Sequence, residues 1–247
     1  MVMAPAGRDG DELVAYFRKV AEAPIPIMLQ NAPPPFGAGL KPDIASYIVQ
    51  RVPQIRFAKE ETMPCGQNLS RLMAACGDRL EALFGGAGGR YITDELARGA
   101  AGTVPAMELA DVHVALVKAH FAGDVEGARK LFAASLPLLN FQAVFRMHMT
   151  KFVLAARGVI HSTRVRAPDL RTSAFADVRR TYELLLALEV QTGVSPRETL
   201  RTSERARARS LFTACQTRSS KNEPRTQPTY RKALKMKTFR LFLCFSL

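Results

Sequence analysis

The sequence predicts an α/β protein with parallel strands, forming an incomplete barrel or an open sheet and followed by a helical extension. Three observations carry this. From about residue 12 to 120, short apolar runs alternate with segments of helical periodicity, the pattern of parallel strands joined by helical crossovers. Proline and glycine sit where those helices would start and stop. After Gly123 the short runs cease and only helical periodicity remains.

Taken in order, Met1 to Ala4 reads as the end of a first strand. Leu13, Tyr16, Phe17 and Val20 recur at helical spacing, and the apolar run Ile25 to Leu29 opens a second strand. Ile44, Tyr47, Ile48 and Val52 mark the next helix, with Pro42 in its first turn, where the missing N–H is harmless. Ile55 to Ala58 is a third strand, and Leu69 to Ala75 a helix stopped by Gly77. Leu80 to Phe84 is a fourth strand, Tyr91 to Arg98 a helix stopped by Gly99, and Gly102 to Ala106 a fifth strand. Leu109, Val112, Leu116 and Ala119 lie on one longer helix. Val125 to Arg146, Met149 to Arg157 and Ala174 to Glu189 are then helical with no strand between them. A closed barrel of alternating strands and helices needs eight strands, and only five are legible.

The net charge of +13 invites a nucleic-acid reading, but its distribution argues against one for the main body. Residues 191–247 carry 13 of the 35 Lys and Arg and 3 of the 22 Asp and Glu, which leaves +3 on everything before them. The expected division is a partial barrel over 1–123, a helical region over 124–190, and a basic tail over 191–247 too polar to bury a core. The tail offers weak polyanion binding at most, since few aromatics interleave its charges. Cys65, Cys76, Cys215 and Cys244 have no metal-type spacing and read as reduced thiols. The histidines, with His113 and His120 seven apart, also lack ligand spacing, so no metal is expected. No charged-then-apolar leader opens the sequence. The apolar run Leu241 to Leu247 falls far short of the roughly 20 residues a membrane span needs. A cytoplasmic protein without membrane contact is expected.

Lys59 is the residue most open to chemistry. Alternate strand residues share a face, so Phe57, Lys59 and Glu61 point the same way and bring an amine and a carboxylate to one strand end. An amine that attacks a carbonyl must be neutral, against an ordinary lysine value of about 10.4, and desolvation is the usual route to that state. Charge and periodicity leave a second reading open, a solvated ion pair of Lys59 with Glu60 or Glu61. The run Gly85-Gly86-Ala87-Gly88-Gly89 before a helix is similarly two-sided. It can aim backbone N–H groups at a carboxylate, or simply supply a tight turn.

From about Val2 to Glu189 the chain resembles the C-terminal two-thirds of the dihydrodipicolinate synthase and N-acetylneuraminate lyase superfamily. Pro26-Ile27-Met28-Leu29-Gln30-Asn31-Ala32-Pro33 is similar to that family's fifth strand and loop. Phe57-Ala58-Lys59-Glu60-Glu61-Thr62 is similar to its sixth strand, Leu83-Phe84-Gly85-Gly86 to its seventh, and Gly102-Thr103-Val104-Pro105 to its eighth. The resemblance implies an incomplete TIM (β/α)8 barrel, about strands 4 to 8, with Lys59 at the Schiff-base position. It further implies Gln30, Gly85, Gly86, Thr103 and Val104 around the substrate, a small 2-keto acid as partner, no cofactor, and homo-oligomers among intact relatives. Asn31 is expected to fix its loop.

Two departures direct the reading within the family. Gln30 replaces the tyrosine expected before Asn-x-Pro, and an amide cannot relay protons. Glu61 stands where a small residue is usual in the synthases, one strand period from the imine. Both point to dehydration of a 2-keto-3-deoxy sugar acid such as 2-keto-3-deoxyarabonate, with Lys59 and Glu61 as catalytic residues. A pyruvate-dependent aldolase or synthase, or a remnant without selected activity, are the alternatives. The absent N-terminal motifs, which hold the keto-acid carboxylate in the family, lead to the expectation that activity is impaired in this chain.

Overall fold

The computed structural model describes residues 1–166. The helix expected over 174–189 and the basic segment 191–247 lie outside the described residues. The chain divides into two compact units, one over Met1–Pro105 and a second beginning at Ala106.

The first unit is a five-stranded parallel sheet in sequential order: β1 (Val2–Met3), β2 (Ile27–Asn31), β3 (Ile55–Glu60), β4 (Ala82–Gly85) and β5 (Gly102–Thr103). Its crossovers are α1 (Gly10–Val20), α2 (Pro42–Arg51), α3 (Cys65–Cys76) and α4 (Ile92–Ala97). Strands and helices fall where the periodicity puts them, and the sheet is the wall of an incomplete (β/α) barrel. One face packs Ile27, Leu29, Ile55, Ala58 and Leu83 against Leu13, Phe17, Ile48, Leu69 and Leu72 of the helices. The other buries a smaller cluster, Met28, Phe57, Phe84 and Val104. The pairing of β2 with β3 shifts between Ile27 and Met28, which lets Ile55 join the helix side while Phe57 joins the opposite face.

Local signals start the helices. Asp9 accepts the Glu12 N–H at 2.9 Å, and the Glu12 carboxylate accepts the Asp9 N–H at 3.0 Å, a reciprocal capping box on α1. Asp9→Ala is expected to lower stability by about 1 kcal/mol, read as a shift of the chemical denaturation midpoint without a change in slope. Pro42 opens α2. Several boundaries differ from the sequence expectation: β2 runs over Ile27–Asn31 rather than Ile25 to Leu29, β5 stops at Thr103 rather than Ala106, and the starts of α3 and β4 also move. α3 begins at Cys65 rather than near Leu69, and its first turn packs Gly66 against Asp94 and Arg98, a tertiary contact invisible to periodicity. A one-turn 3-10 segment, Gly77–Arg79, delays β4 to Ala82.

In the second unit, α5 (Ala110–Phe121) and α6 (Val125–Ala156) share a core of Leu109, Val112, Leu138, Leu139, Met149 and Val153. Phe132, Phe141, Phe145 and Phe152 pack onto it. α6 is interrupted at Arg146 (φ 42°, ψ −119°), so the two helices expected on either side meet there. Arg157 closes the unit by donating to the Asp111 carboxylate at 2.7 Å and to the Glu108 carbonyl at 2.7 Å. Among the described residues, no helix is long and apolar enough to cross a membrane.

Candidate active site

The five strands run in one direction, so their C-terminal ends gather the residues that follow them. Lys59 is the penultimate residue of β3, 3 % exposed, and lies beside Gln30 of β2 and Phe84 of β4 in register. Its ammonium nitrogen is 3.0 Å from Glu61 Oε1. The same oxygen accepts the Ala87 backbone N–H at 2.8 Å, and Glu61 Oε2 accepts from Gln30 Nε2 at 2.8 Å. Lys59 and Glu61 therefore do not form a solvated surface pair. Their side chains are 4 % and 14 % exposed, and Glu61 is held by three donors from three segments.

The glycine run explains the Ala87 contact. Ala87, Gly88 and Gly89 have φ of 51°, 71° and 86°, the left-handed region in three successive residues, which turns the chain back over β4. Gly86 passes so close to the pair that a Cβ there would lie 2.6 Å from Lys59 Cε and 2.5 Å from Glu61 Cγ. Of the other residues singled out in the sequence, Gly85 ends β4 in register with Thr103 of β5. The Val104 N–H donates to the Gly85 carbonyl at 2.9 Å, and the Val104 side chain is buried with Phe57 and Phe84. Gln30, Lys59, Glu61 and Gly86 thus form one contact group, while Gly85, Thr103 and Val104 adjoin it along the strand ends. The Thr103 hydroxyl is buried without a hydrogen-bond partner among the described residues.

Two carboxylates escaped the sequence reading as functional groups. Glu60 points away from Lys59 and is buried, with its pKa raised chiefly by desolvation. It accepts from Asn31 Nδ2 at 2.8 Å, from the Thr62 N–H at 2.6 Å and from the Thr62 hydroxyl. Asn31 also donates to the Leu40 carbonyl at 2.9 Å and accepts the Leu40 N–H at 2.8 Å, so it fixes its loop as expected. This network pins the chain on either side of the Gln30–Lys59 contact. Its signal was alternation, because residue 60 falls on the opposite face from 59 and 61. The second missed residue, Glu95, is 0 % exposed under the glycine loop, and burial raises its pKa to about 8. Its signal was a carboxylate on the apolar stripe of α4, between Ile92 and Leu96.

Among the described residues, no group of three or more His, Cys, Asp or Glu side chains is arranged to hold a metal ion. His113 is fully buried in the second unit and shifted to about 4 by that burial. Cys65 and Cys76 are buried and unbonded to each other.

No family model matches the chain. Over 183 residues it is 27 % identical to an L-2-keto-3-deoxyarabonate dehydratase of Azospirillum brasilense, covering 71 % of this chain and 59 % of that protein. Among solved structures, a dihydrodipicolinate synthase of Rhodopseudomonas palustris superposes with a TM-score of 0.66 at 26 % identity, over 74 % of this chain and 65 % of that one. A prophage protein of the dihydrodipicolinic acid synthase family from E. coli K12, solved in complex with pyruvate, gives a TM-score of 0.65 at 21 % identity. It shares the fold over 78 % of this chain and 66 % of its own. The chain thus spans less than two-thirds of the dehydratase and of the synthase from Rhodopseudomonas.

Proposed function

We propose that this chain, which belongs to the dihydrodipicolinate synthase and N-acetylneuraminate lyase superfamily, carries the site of a Schiff-base-forming dehydratase acting on a 2-keto-3-deoxy sugar acid. The observation that carries the reading is the buried Lys59 amine 3.0 Å from Glu61, itself held by Gln30 and Ala87. The dehydratase of Azospirillum brasilense supports the substrate class.

In the proposed reaction, Lys59 gives up a proton to Glu61 and its nitrogen attacks the C2 ketone. Glu61 returns that proton to the departing hydroxyl, and loss of water from the adduct leaves a protonated imine, the electron sink that makes an organic or metal cofactor unnecessary. Glu61 then takes a proton from C3, giving an enamine. The enamine expels the C4 hydroxyl, which leaves as water on receiving from Glu61 the proton taken from C3. Hydrolysis of the conjugated imine frees the product and restores the amine. Glu61 lies one strand period from the lysine and touches it, so one carboxylate can serve both proton steps. Gln30 orients Glu61 through its amide N–H but holds no transferable proton. The Gly85–Gly86 and Thr103–Val104 strand ends bound the space in front. The reaction is placed in the cytoplasm.

The test is reduction with borohydride in the presence of pyruvate or 2-keto-3-deoxyarabonate, followed by peptide mass analysis. An adduct on the Lys59 peptide is expected, and its absence with both compounds removes the lyase reading in favour of a remnant without activity. Glu61→Gln is expected to slow adduct formation, because Glu61 takes the Lys59 proton, and to lower the release of dehydrated product by roughly 10²- to 10⁴-fold, the usual contribution of a positioned acid–base group. The likeness to a dihydrodipicolinate synthase keeps a pyruvate-dependent condensation as the second reading. That reading gains if pyruvate is trapped but the deoxy sugar acid is not dehydrated.

A further inference from the structure

The loop that reaches Lys59 and Glu61 is supported from behind by a carboxyl that the proposed reaction does not use. Glu95, on α4, is 0 % exposed, and its side chain lies against the Gly85 backbone. A Cβ on Gly85 would stand 1.8 Å from its Oε2 and 2.2 Å from its Cδ. Neither oxygen of Glu95 has a well-formed hydrogen bond among the described residues. On the other side of the same few residues, Gly86 abuts Lys59 Cε and the Ala87 N–H donates to Glu61. The loop is therefore one glycine backbone thick between two carboxyl groups, one facing the site and one buried beneath it.

We propose that Glu95 is a positioning residue that works as a neutral acid: protonated, it props the Gly85–Ala87 loop against Lys59 and Glu61, and on ionising it releases that loop. The physical case rests on what surrounds it. Burial is the largest influence on its proton, and it outweighs the Gly86 backbone N–H, which favours the anion. Glu61 and Glu60 from the end of β3 and Asp94 on its own helix all oppose a further negative charge. Cys65 of α3 feels Glu95 in turn, and its thiol is raised to about 12, mainly by burial. Of the nearby cations, Lys59 is paired with Glu61 and Arg98 with Asp94, while Arg90 follows the loop. An anion at Glu95 would thus be buried and poorly compensated, the state that proteins avoid by neutralising or moving the group.

The sign follows from linkage. The folded value of about 8 lies above the ordinary 4.5, so the folded state binds this proton more tightly than the unfolded one. The stability it contributes is complete below pH 4.5 and is lost as pH rises through about 8. Glu95→Gln is neutral at every pH. In the full chain, the Tm of Glu95→Gln relative to wild type is expected to climb between pH 5 and 8 and to level off above that. The proposal also rests, for its catalytic half, on the lyase reading. With cyanoborohydride and pyruvate, the trapping rate of Glu95→Gln relative to wild type is expected to rise about tenfold from pH 7 to pH 9, as the wild-type carboxyl ionises. Glu95→Ala, which leaves the loop unpropped, should trap about tenfold more slowly than Glu95→Gln at pH 7. If no adduct forms in the wild type either, the lyase reading fails and the Tm comparison decides alone. A Tm difference that does not vary with pH, or Glu95→Ala trapping as fast as Glu95→Gln, overturns the proposal.

Discussion

Lys59→Met is expected to abolish the reducible keto-acid adduct and to lower dehydration by about 10³-fold or more, because no other residue in the contact group offers a primary amine. The side chain it replaces is buried at 4 % exposure, and methionine fills a similar volume without a charge. Removing the ammonium costs Glu61 one of three donors and leaves the Gln30 and Ala87 contacts in place. A stability loss of about 1–3 kcal/mol is therefore expected, the range for a buried polar group that loses a partner. The two readouts separate the roles. A folded variant with wild-type far-UV spectrum and no adduct assigns the chemistry to Lys59. A folded variant that still carries an adduct, now on another lysine, would end that assignment. Lys59→Arg is the harder control, since it keeps a cation next to Glu61 but cannot give the neutral nucleophile.

Much of this arrangement is legible in the sequence, and the reasons differ between fold and site. The sheet and its crossovers follow from periodicity and punctuation: Pro42 opens α2, Gly77 and Gly99 stop helices, and apolar runs too short for helices become β2 to β4. Lys59 and Glu61 share a face by alternation alone. Whether that face is solvated or buried is not local information, because it depends on Gln30 arriving in register from β2 and Ala87 folding back after β4. The resemblance to a known family supplied that context before the geometry did. The early start of α3 and the role of Glu95 were not legible for a related reason. Gly66 and Gly85 look like ordinary breakers until the carboxyls of Asp94 and Glu95, distant in sequence, are seen to occupy the space a side chain would need. Glu60 and Glu61 are adjacent and chemically identical, yet one locks Asn31 and Thr62 while the other meets the lysine. Only strand parity tells them apart.

Gly86→Ala is expected to lower the imine-trapping rate about 10²-fold with little loss of fold, because the atoms that would have to move belong to Lys59 and Glu61. The added Cβ would stand 2.6 Å from Lys59 Cε, 2.5 Å from Glu61 Cγ and 2.6 Å from Glu61 Oε1, far inside van der Waals contact. All three are side-chain atoms with rotatable bonds behind them, so the lysine and the glutamate yield before the backbone does. Overpacking of this kind costs about 1–3 kcal/mol in stability. A displacement of roughly 1 Å at a reacting group costs about 10²-fold in rate. The methyl group therefore acts mainly on geometry, through the pair it pushes apart. The same change at Gly85 meets a different obstacle, since its Cβ would strike the buried carboxyl of Glu95 1.8 Å away, which has no open route to solvent. The contrast makes the test specific: Gly86→Ala should lose trapping while still folding cooperatively, its Tm lowered only by the several degrees that about 1–3 kcal/mol implies, and Glu61→Asp in the same chain, by shortening the side chain that is struck, should recover part of the rate. A Gly86→Ala variant that traps pyruvate as fast as the wild type would mean that the glycine loop does not hold the Lys59–Glu61 pair, and the support assigned to Glu95 would then have nothing to act through.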